Sequence, residues 1–483
     1  MGRSAYSYIP RAYCFLPSFV APNAASGTDV VAPLSSPPFG IGPDAYLAST
    51  RRPFVPVYLG VGWSGAITDN GTTTVGIGNK VSGVGTVHYL TKNFDTLSTS
   101  LIANGYAYLG YADETTAQRW DSAATKNRHD NLAGVGSSSN KNLSCFCDVD
   151  SGDANYLAAN YLCSPGGLYD TVGVSHDPDT KHLRTGKSYH RGPVAGCLAS
   201  VTLHDLDAAS GQTDLDLREI EMPFSMRVHA VLFFSSASGA SNVVSIYNQS
   251  ETEVVASDAT LVGAAEDNVT LHHASLTNRD ITKGDKLRLR VTTVGTGFTR
   301  VGAILIGHVT AHPDLTRLIH YSSSAVRPST GVGNHDSIGS DVSGPGLGSI
   351  VPLYMGRANL ASGQTAATIV QMALPFDCEV LAIATYAAAI ASAADSLSVL
   401  NTTEGVTLTN AISSPGQVAN IATWWLLNAT DKTLNSGGDN LKCSRGDVIE
   451  LQGTTAVAGG YTDASAILLV RPTGFPHDDP END

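Results

Sequence analysis

The chain is poor in charge: only 15% of its 483 residues are Asp, Glu, Lys or Arg. The formal net charge is -14, and the basic residues never cluster beyond a pair such as Arg51-Arg52. Binding along a phosphate backbone needs grouped Lys and Arg, so no nucleic-acid partner is expected. Long apolar runs are also missing. The uncharged stretch from Val380 to Ala394 falls short of the roughly 20 residues a membrane helix needs. Residues Met1 to Tyr6 lack the apolar core of a secretion signal, and Tyr6 breaks the myristoylation pattern. No membrane partner is expected. The seven cysteines (Cys14, Cys145, Cys147, Cys163, Cys197, Cys378, Cys443) are odd in number and irregular in spacing. A disulfide framework is therefore not expected, and folding in a reducing cytoplasm is the simpler reading. Sequons such as Asn248-Gln249-Ser250 and Asn401-Thr402-Thr403 occur at the density that a chain rich in Ser, Thr and Asn produces by chance.

Catalytic signatures are missing as well. No Gly-x-Ser-x-Gly elbow and no His-Glu-x-x-His helix occurs. Thr185-Gly186-Lys187-Ser188 imitates the end of a phosphate loop, yet Lys181 stands where the first glycine belongs. Cys145, Cys147, Asp148, Asp150 and Asp153 lie close together; with Cys163 and a histidine the thiols could hold a soft metal, but no zinc frame has this spacing. The acidic part departs from a calcium loop, because Gly152 and Asp153 are exchanged and no Glu closes it. An acidic loop beside buried thiols is the plainer reading. His176, His182 and His190 share a polar loop with Asp177 and Asp179, where a zinc or nickel site competes with an ordinary surface loop. His308 and His312 straddle the end of a strand, so their spacing of four has no helical meaning. Trp424 and Trp425 would face opposite sides of a strand, leaving at most one for a sugar and favouring the core or an interface. No residue is assigned a catalytic, cofactor-binding or metal role, no cofactor is expected, and the chain is read as not an enzyme.

What the chain does contain is one segment written twice. Ala209-Ser210-Gly211-Gln212-Thr213 returns as Ala361-Ser362-Gly363-Gln364-Thr365, followed in each copy by a Pro-Phe pair, Pro223-Phe224 and Pro375-Phe376. Ser245-Ile246-Tyr247-Asn248 answers Ser398-Val399-Leu400-Asn401, and Gly284-Asp285 answers Gly446-Asp447. Gly297-Phe298-Thr299 and Ala303-Ile304-Leu305 answer Gly460-Tyr461-Thr462 and Ala466-Ile467-Leu468. Matched blocks with drifting offsets mark a duplicated folding unit whose loops have changed length.

The pattern within each copy is β. Leu215 and Leu217, then Ile220 and Met222, alternate with Asp214, Asp216, Arg218, Glu219 and Glu221, with one slip that a bulge would explain. The runs Val301 to Val309 and Ala464 to Val470 are continuously apolar, as buried sandwich strands are. Lys283-Gly284-Asp285 and Arg445-Gly446-Asp447 supply turns where glycine accepts positive φ. Seven or eight short strands per unit predict a jelly-roll β-sandwich.

The expected layout begins with an extended Pro-rich arm over 1–54, whose aromatics would lie across a neighbouring subunit or the chain's own body. A β-rich region follows over 55–192. Val55-Pro56-Val57-Tyr58-Leu59-Gly60 resembles Val351-Pro352-Leu353-Tyr354-Met355-Gly356, which makes this region a candidate divergent repeat. Sandwich repeats over 193–312 and 345–473 flank a linker at 313–344, and 474–483 forms an acidic tail. Asp113 to Leu132 is polar and could carry a short helix.

Each repeat runs from a Gly-Gln-Thr segment through a Pro-Phe break and a Gly-Asp turn to an apolar closing strand. That layout resembles the sandwich domains of tailed-phage virion structural proteins, of the capsid decoration (cement) and fibre types. The resemblance covers 196–309 and 345–473. It implies a non-enzymatic virion component, assembled in the host cytoplasm, that binds a major capsid protein or other virion proteins and copies of itself. A jelly-roll shell protein and a carbohydrate-binding adhesin are the alternatives it leaves open.

Overall fold

The computed structural model describes residues 14–20, 30–33, 54–63, 74–81, 84–93, 106–110, 144–148, 157–165, 198–208, 213–235, 242–261, 268–271, 276–293, 298–311, 351–364, 366–390, 397–410, 422–427, 432–453 and 460–473. Among them every regular element is a strand. The first group is β1 (Cys14–Pro17), β2 (Val30–Pro33), β3 (Phe54–Trp63), β4 (Thr74–Val81), β5 (Val84–Asn93), β6 (Tyr106–Gly110), β7 (Ser144–Asp148) and β8 (Leu157–Pro165). The second is β9 (Leu198–Ala208), β10 (Thr213–Glu221), β11 (Ser225–Phe234), β12 (Asn242–Asn248), β13 (Glu253–Leu261), β14 (Asn268–Leu271), β15 (Asp280–Ile281), β16 (Lys286–Thr293) and β17 (Phe298–Ala311). The third is β18 (Val351–Leu360), β19 (Ala367–Ala373), β20 (Cys378–Tyr386), β21 (Ala389–Ile390), β22 (Leu397–Asn401), β23 (Val406–Thr407), β24 (Thr423–Leu426), β25 (Lys442–Cys443), β26 (Val448–Gly453) and β27 (Tyr461–Pro472).

Each group forms two sheets. They run β1-β8-β3-β6 with β2-β7-β4-β5, then β9-β17-β11-β14 with β10-β16-β12-β13, then β18-β27-β20-β24 with β19-β26-β22-β23. The short strands β15 and β25 are added beside β11 and β20, and β21 beside β27. With these three set aside, every group has the strand order 1-8-3-6 in one sheet and 2-7-4-5 in the other. That is the eight-stranded jelly roll. The plan occurs three times.

The irregularities repeat too. In each unit strand 3 carries one extra residue against strand 8, at Val57, His229 and Leu381. Strand 2 slips against strand 7 at Leu217 and at Ile369. The slip read from the alternation of Leu215, Leu217 and Ile220 is therefore a real bulge. Bulges at matching points of matching strands are inherited features of one design.

The extended arm expected over 1–54, laid across a neighbour or the chain's own body, supplies strands to that body where it is described. Its residues 14–17 pair with β8, and residues 30–33 pair with β7. They are strands 1 and 2 of the first sandwich. Prolines argued against strands there, but β1 and β2 are the edge strands of their sheets. An edge strand tolerates Pro17 and Pro33 at its end because no second neighbour requires their N–H. The 313–344 linker, the 474–483 tail and the Asp113 to Leu132 segment lie outside the described residues.

Packing explains the continuous apolar runs. Val301, Ala303, Leu305 and Val309 of β17 fill the second sandwich's own core with Val231 and Phe233. The intervening Ile304 and Ile306 turn the other way, with Leu232 and Phe234, into a second cluster shared with the third sandwich. A sheet buried on both faces loses the polar half of its alternation. Val380 and its neighbours are likewise strand β20 rather than a helix, and no helix among the described residues is long and apolar enough to cross a membrane.

The landmarks of the sequence repeat turn out to be a clasp. Asn248 Nδ2 donates to Asp285 Oδ2 at 2.9 Å, and Asn401 Nδ2 to Asp447 Oδ2 at 2.8 Å. The same carboxylate oxygens accept the backbone N–H of Thr282 and of Ser444. Gly284 and Gly446 hold the turn at φ of 92° and 89°, as the sequence required. All four polar side chains are buried. The two sequon asparagines therefore serve the fold.

Candidate assembly site: the seam between the three sandwiches

The strand 1 edges of the three units, β1, β9 and β18, pack against one another. The contacts there are mixed aromatic and polar. Phe15, at the start of the chain, enters the second sandwich's core and meets Phe224 edge-on at 5.4 Å. Phe19 stacks on Tyr386 of the third sandwich at 5.0 Å. Tyr354, fully buried on β18, lies between His204 and Phe234 of the second unit, with ring centroids at 5.5 and 5.7 Å. Each sandwich thus plugs aromatic rings into a neighbour. Such rings contribute large apolar area plus about 0.5–1.5 kcal/mol of pair geometry.

Polar atoms fix the register of this seam. Asn160 Nδ2 of β8 donates to the Thr202 carbonyl at 2.6 Å, and His204 Nε2 lies 3.0 Å from the Ala159 carbonyl. A carbonyl only accepts, so that nitrogen carries the ring proton. The Ser200 hydroxyl donates to the Pro352 carbonyl, tying the second sandwich to the third. Ser18 exchanges two hydrogen bonds with Ala159, through its N–H at 2.8 Å and its Oγ at 2.7 Å.

A cleft with about 10 Å³ of usable room lies at the joint of the first two sandwiches, lined by Gly60, Gly62, Asn160, Thr202, His204 and Glu219. It falls below the usual range of ligand pockets. Its titratable groups are already engaged. Glu219 accepts from Arg288 with Lys286 at 4.0 Å, and His204 donates to the main chain. No nucleophile is poised against a base there.

A buried ion pair stands near the third sandwich's edge of the seam. Arg357 Nη1 donates to Asp463 Oδ1 at 2.9 Å, and Asn359 Oδ1 accepts the Asp463 N–H at 2.9 Å. Burial raises the Tyr386 phenol above its ordinary range; Asp463 pushes it further up and Arg357 pulls it down. The pairing Ala358↔Ala464 corresponds to Leu206↔Val301 in the second unit. Arg357 and Asp463 thus occupy the places of Asp205 and Arg300, the same two charges exchanged.

The candidates singled out from sequence separate cleanly. Cys145 and Cys147 are strand residues of β7, opposite Ile77 and Val75. Asp150, Asp153, the loop of His176, His182 and His190, and Thr185 to Ser188 lie outside the described residues. Among those described, no three His, Cys, Asp or Glu side chains gather as a metal site would require. Trp425 is buried and its Nε1 donates to Thr385 Oγ1 at 3.2 Å, while Trp424 packs half-buried against the same core. Sequence reading missed the His229–His308 pair, whose rings stack at 4.7 Å with Nε2 of one facing Nδ1 of the other. Only the strand 3 bulge brings His229 onto β17 beside His308, so no spacing could have announced it.

No family model and no curated protein matches the chain. Among solved structures, the major capsid protein P2 of bacteriophage PM2 is similar at 14% identity and TM-score 0.18, over 62% of this chain and 99% of that one. The STIV MCP follows at 10% identity and TM-score 0.18, over 59% and 98%. The PBSX exported protein XepA is similar at 9% identity and TM-score 0.15, over 60% and 86%. Likeness this loose does not superpose the molecules; the fold assignment rests on the strand order.

Proposed function

We propose that this chain is a non-enzymatic virion structural protein and, within that class, a jelly-roll shell component. The observation that carries the reading is the closed meeting of β1, β9 and β18, which makes one chain a ring of three like sandwiches. Joining three like units head to tail closes a ring only at the correct rotation. Covalent linkage then removes the cost of bringing three partners together. A stiff, low-charge ring with its functional asparagines and histidines spent on internal bonds suits repeated packing against copies of itself. Decoration of an outer capsid surface draws on an arm laid across a neighbouring subunit, whereas β1 and β2 are built into the first sandwich. The acidic surface charge suits a component with no need to attract a packaged genome.

The test is quantitative mass spectrometry of intact purified particles, followed by selective stripping. A shell component will be the most abundant chain, and its removal will dismantle the particle. If stripping it leaves closed particles, it decorates them; if intact particles lack it, the virion reading fails.

A further inference from the structure

We propose that Cys378 and Cys443 are an oxidisable pair that closes into an intramolecular disulfide when the folded protein meets a small-molecule disulfide. Spacing along the chain hides the pair. The sheet register exposes it: Cys378 on β20 stands directly opposite Cys443 on β25.

Directly opposed residues of antiparallel strands send their side chains to the same face, with Cα atoms about 4.5–5.5 Å apart. That separation lies inside the range a disulfide spans. Cys378 and Cys443 are both buried thiols. In the second sandwich the same strand pairing carries Met226 opposite Ile281. An apolar pair therefore suffices for the fold, and two facing thiols add a capacity that the fold does not require.

The chemistry is ordinary exchange. The Cys443 thiolate attacks a sulfur of oxidised glutathione and expels one glutathione thiolate. The Cys378 thiolate then attacks the Cys443 sulfur of the mixed disulfide and expels the second. Two protein thiols lose two protons and two electrons, and one oxidised glutathione becomes two reduced ones. Cys443 is the entry point because its turn, with Ser444 and Arg445 exposed, lies nearer solvent than the centre of β20. Burial and the charges of Asp447, Asp377 and Glu404 suppress both thiolates, with Asn401 partly relieving Cys443, so the reaction is slow.

The test incubates the full native chain with excess oxidised glutathione, then denatures it, alkylates free thiols and maps peptides without reduction. The expected result is a mass loss of about 2 Da, with peptides joined through Cys378–Cys443. Oxidation should also slow peptide-level hydrogen exchange around 378–386 and 441–449 while the second sandwich is unchanged. The double variant Cys378→Met/Cys443→Ile, copied from the sister sandwich, should fold and lose the cross-link. Separate alkylation of Cys378 and Cys443, glutathione retained on either, or cross-links to other cysteines would overturn the assignment.

Discussion

Replacing Asn401 with Ala probes the clasp that the repeated motifs encode. The change removes the amide that donates at 2.8 Å to Asp447, a carboxylate only 4% exposed. It also removes the oxygen that accepts the Glu404 N–H at 3.2 Å. A hydrogen bond to a charged group contributes about 1.5–3 kcal/mol, and the second, more exposed bond adds well under 1 kcal/mol. The Ser444 N–H still bonds Asp447, so its carboxylate is not abandoned. The expected loss is about 2–4 kcal/mol. Three sandwiches need not unfold together, so a single midpoint is the wrong observable. Hydrogen exchange read peptide by peptide should show the loss over 397–408 and 444–453 while the second sandwich keeps its protection. Asn248→Ala should produce the mirror result around 242–251 and 282–291, and the two losses should add because the clasps share no partner. A change below about 0.5 kcal/mol, or equal exchange in both sandwiches, would refute the claim that each motif closes its own sandwich.

The buried pair of Arg357 and Asp463 supports a second experiment. Arg357→Leu removes the guanidinium partner of a buried carboxylate and should cost about 3–5 kcal/mol, read by hydrogen exchange over 351–360 and 461–470. The exchange Arg357→Asp with Asp463→Arg should recover part of that loss, since the second sandwich carries Asp205 and Arg300 in those places; no recovery would mean that the exchanged charges are unrelated. Thiol titration offers a third. Burial pushes the Cys443 thiol from 9.0 up to about 11. The unfolded thiol ionises first, so the Cys443 share of stability is intact below pH 9 and should fall by about 1.4 kcal/mol per pH unit from there towards pH 11. Cys443→Ile should remove that share from the slope in the reduced protein while the buried Cys378 thiol keeps its own, and an unchanged slope would assign it to other groups.

Much was legible before any fold was seen. The doubled segment, the bulge after Leu217, the turns at Gly284 and Gly446 and the strand character of Val380 to Tyr386 all follow from short-range pattern. Alternation, turn chemistry and proline placement act within a few residues and leave their marks in order along the chain. The first sandwich was another matter. Its prolines and divergent segments masked a strand plan that only pairing with β7 and β8 reveals.

By itself the sequence determined the material: β-strands in tandem copies, few charges, no catalytic signature, and an Asn and a Gly-Asp kept in both repeats. Tertiary structure alone decided that the plan occurs three times, that the strand 1 edges pack against one another, and that Cys378 faces Cys443. Strand propensity is local, whereas facing and packing depend on register between residues far apart in the chain. A one-residue slip would turn every side chain to the opposite face.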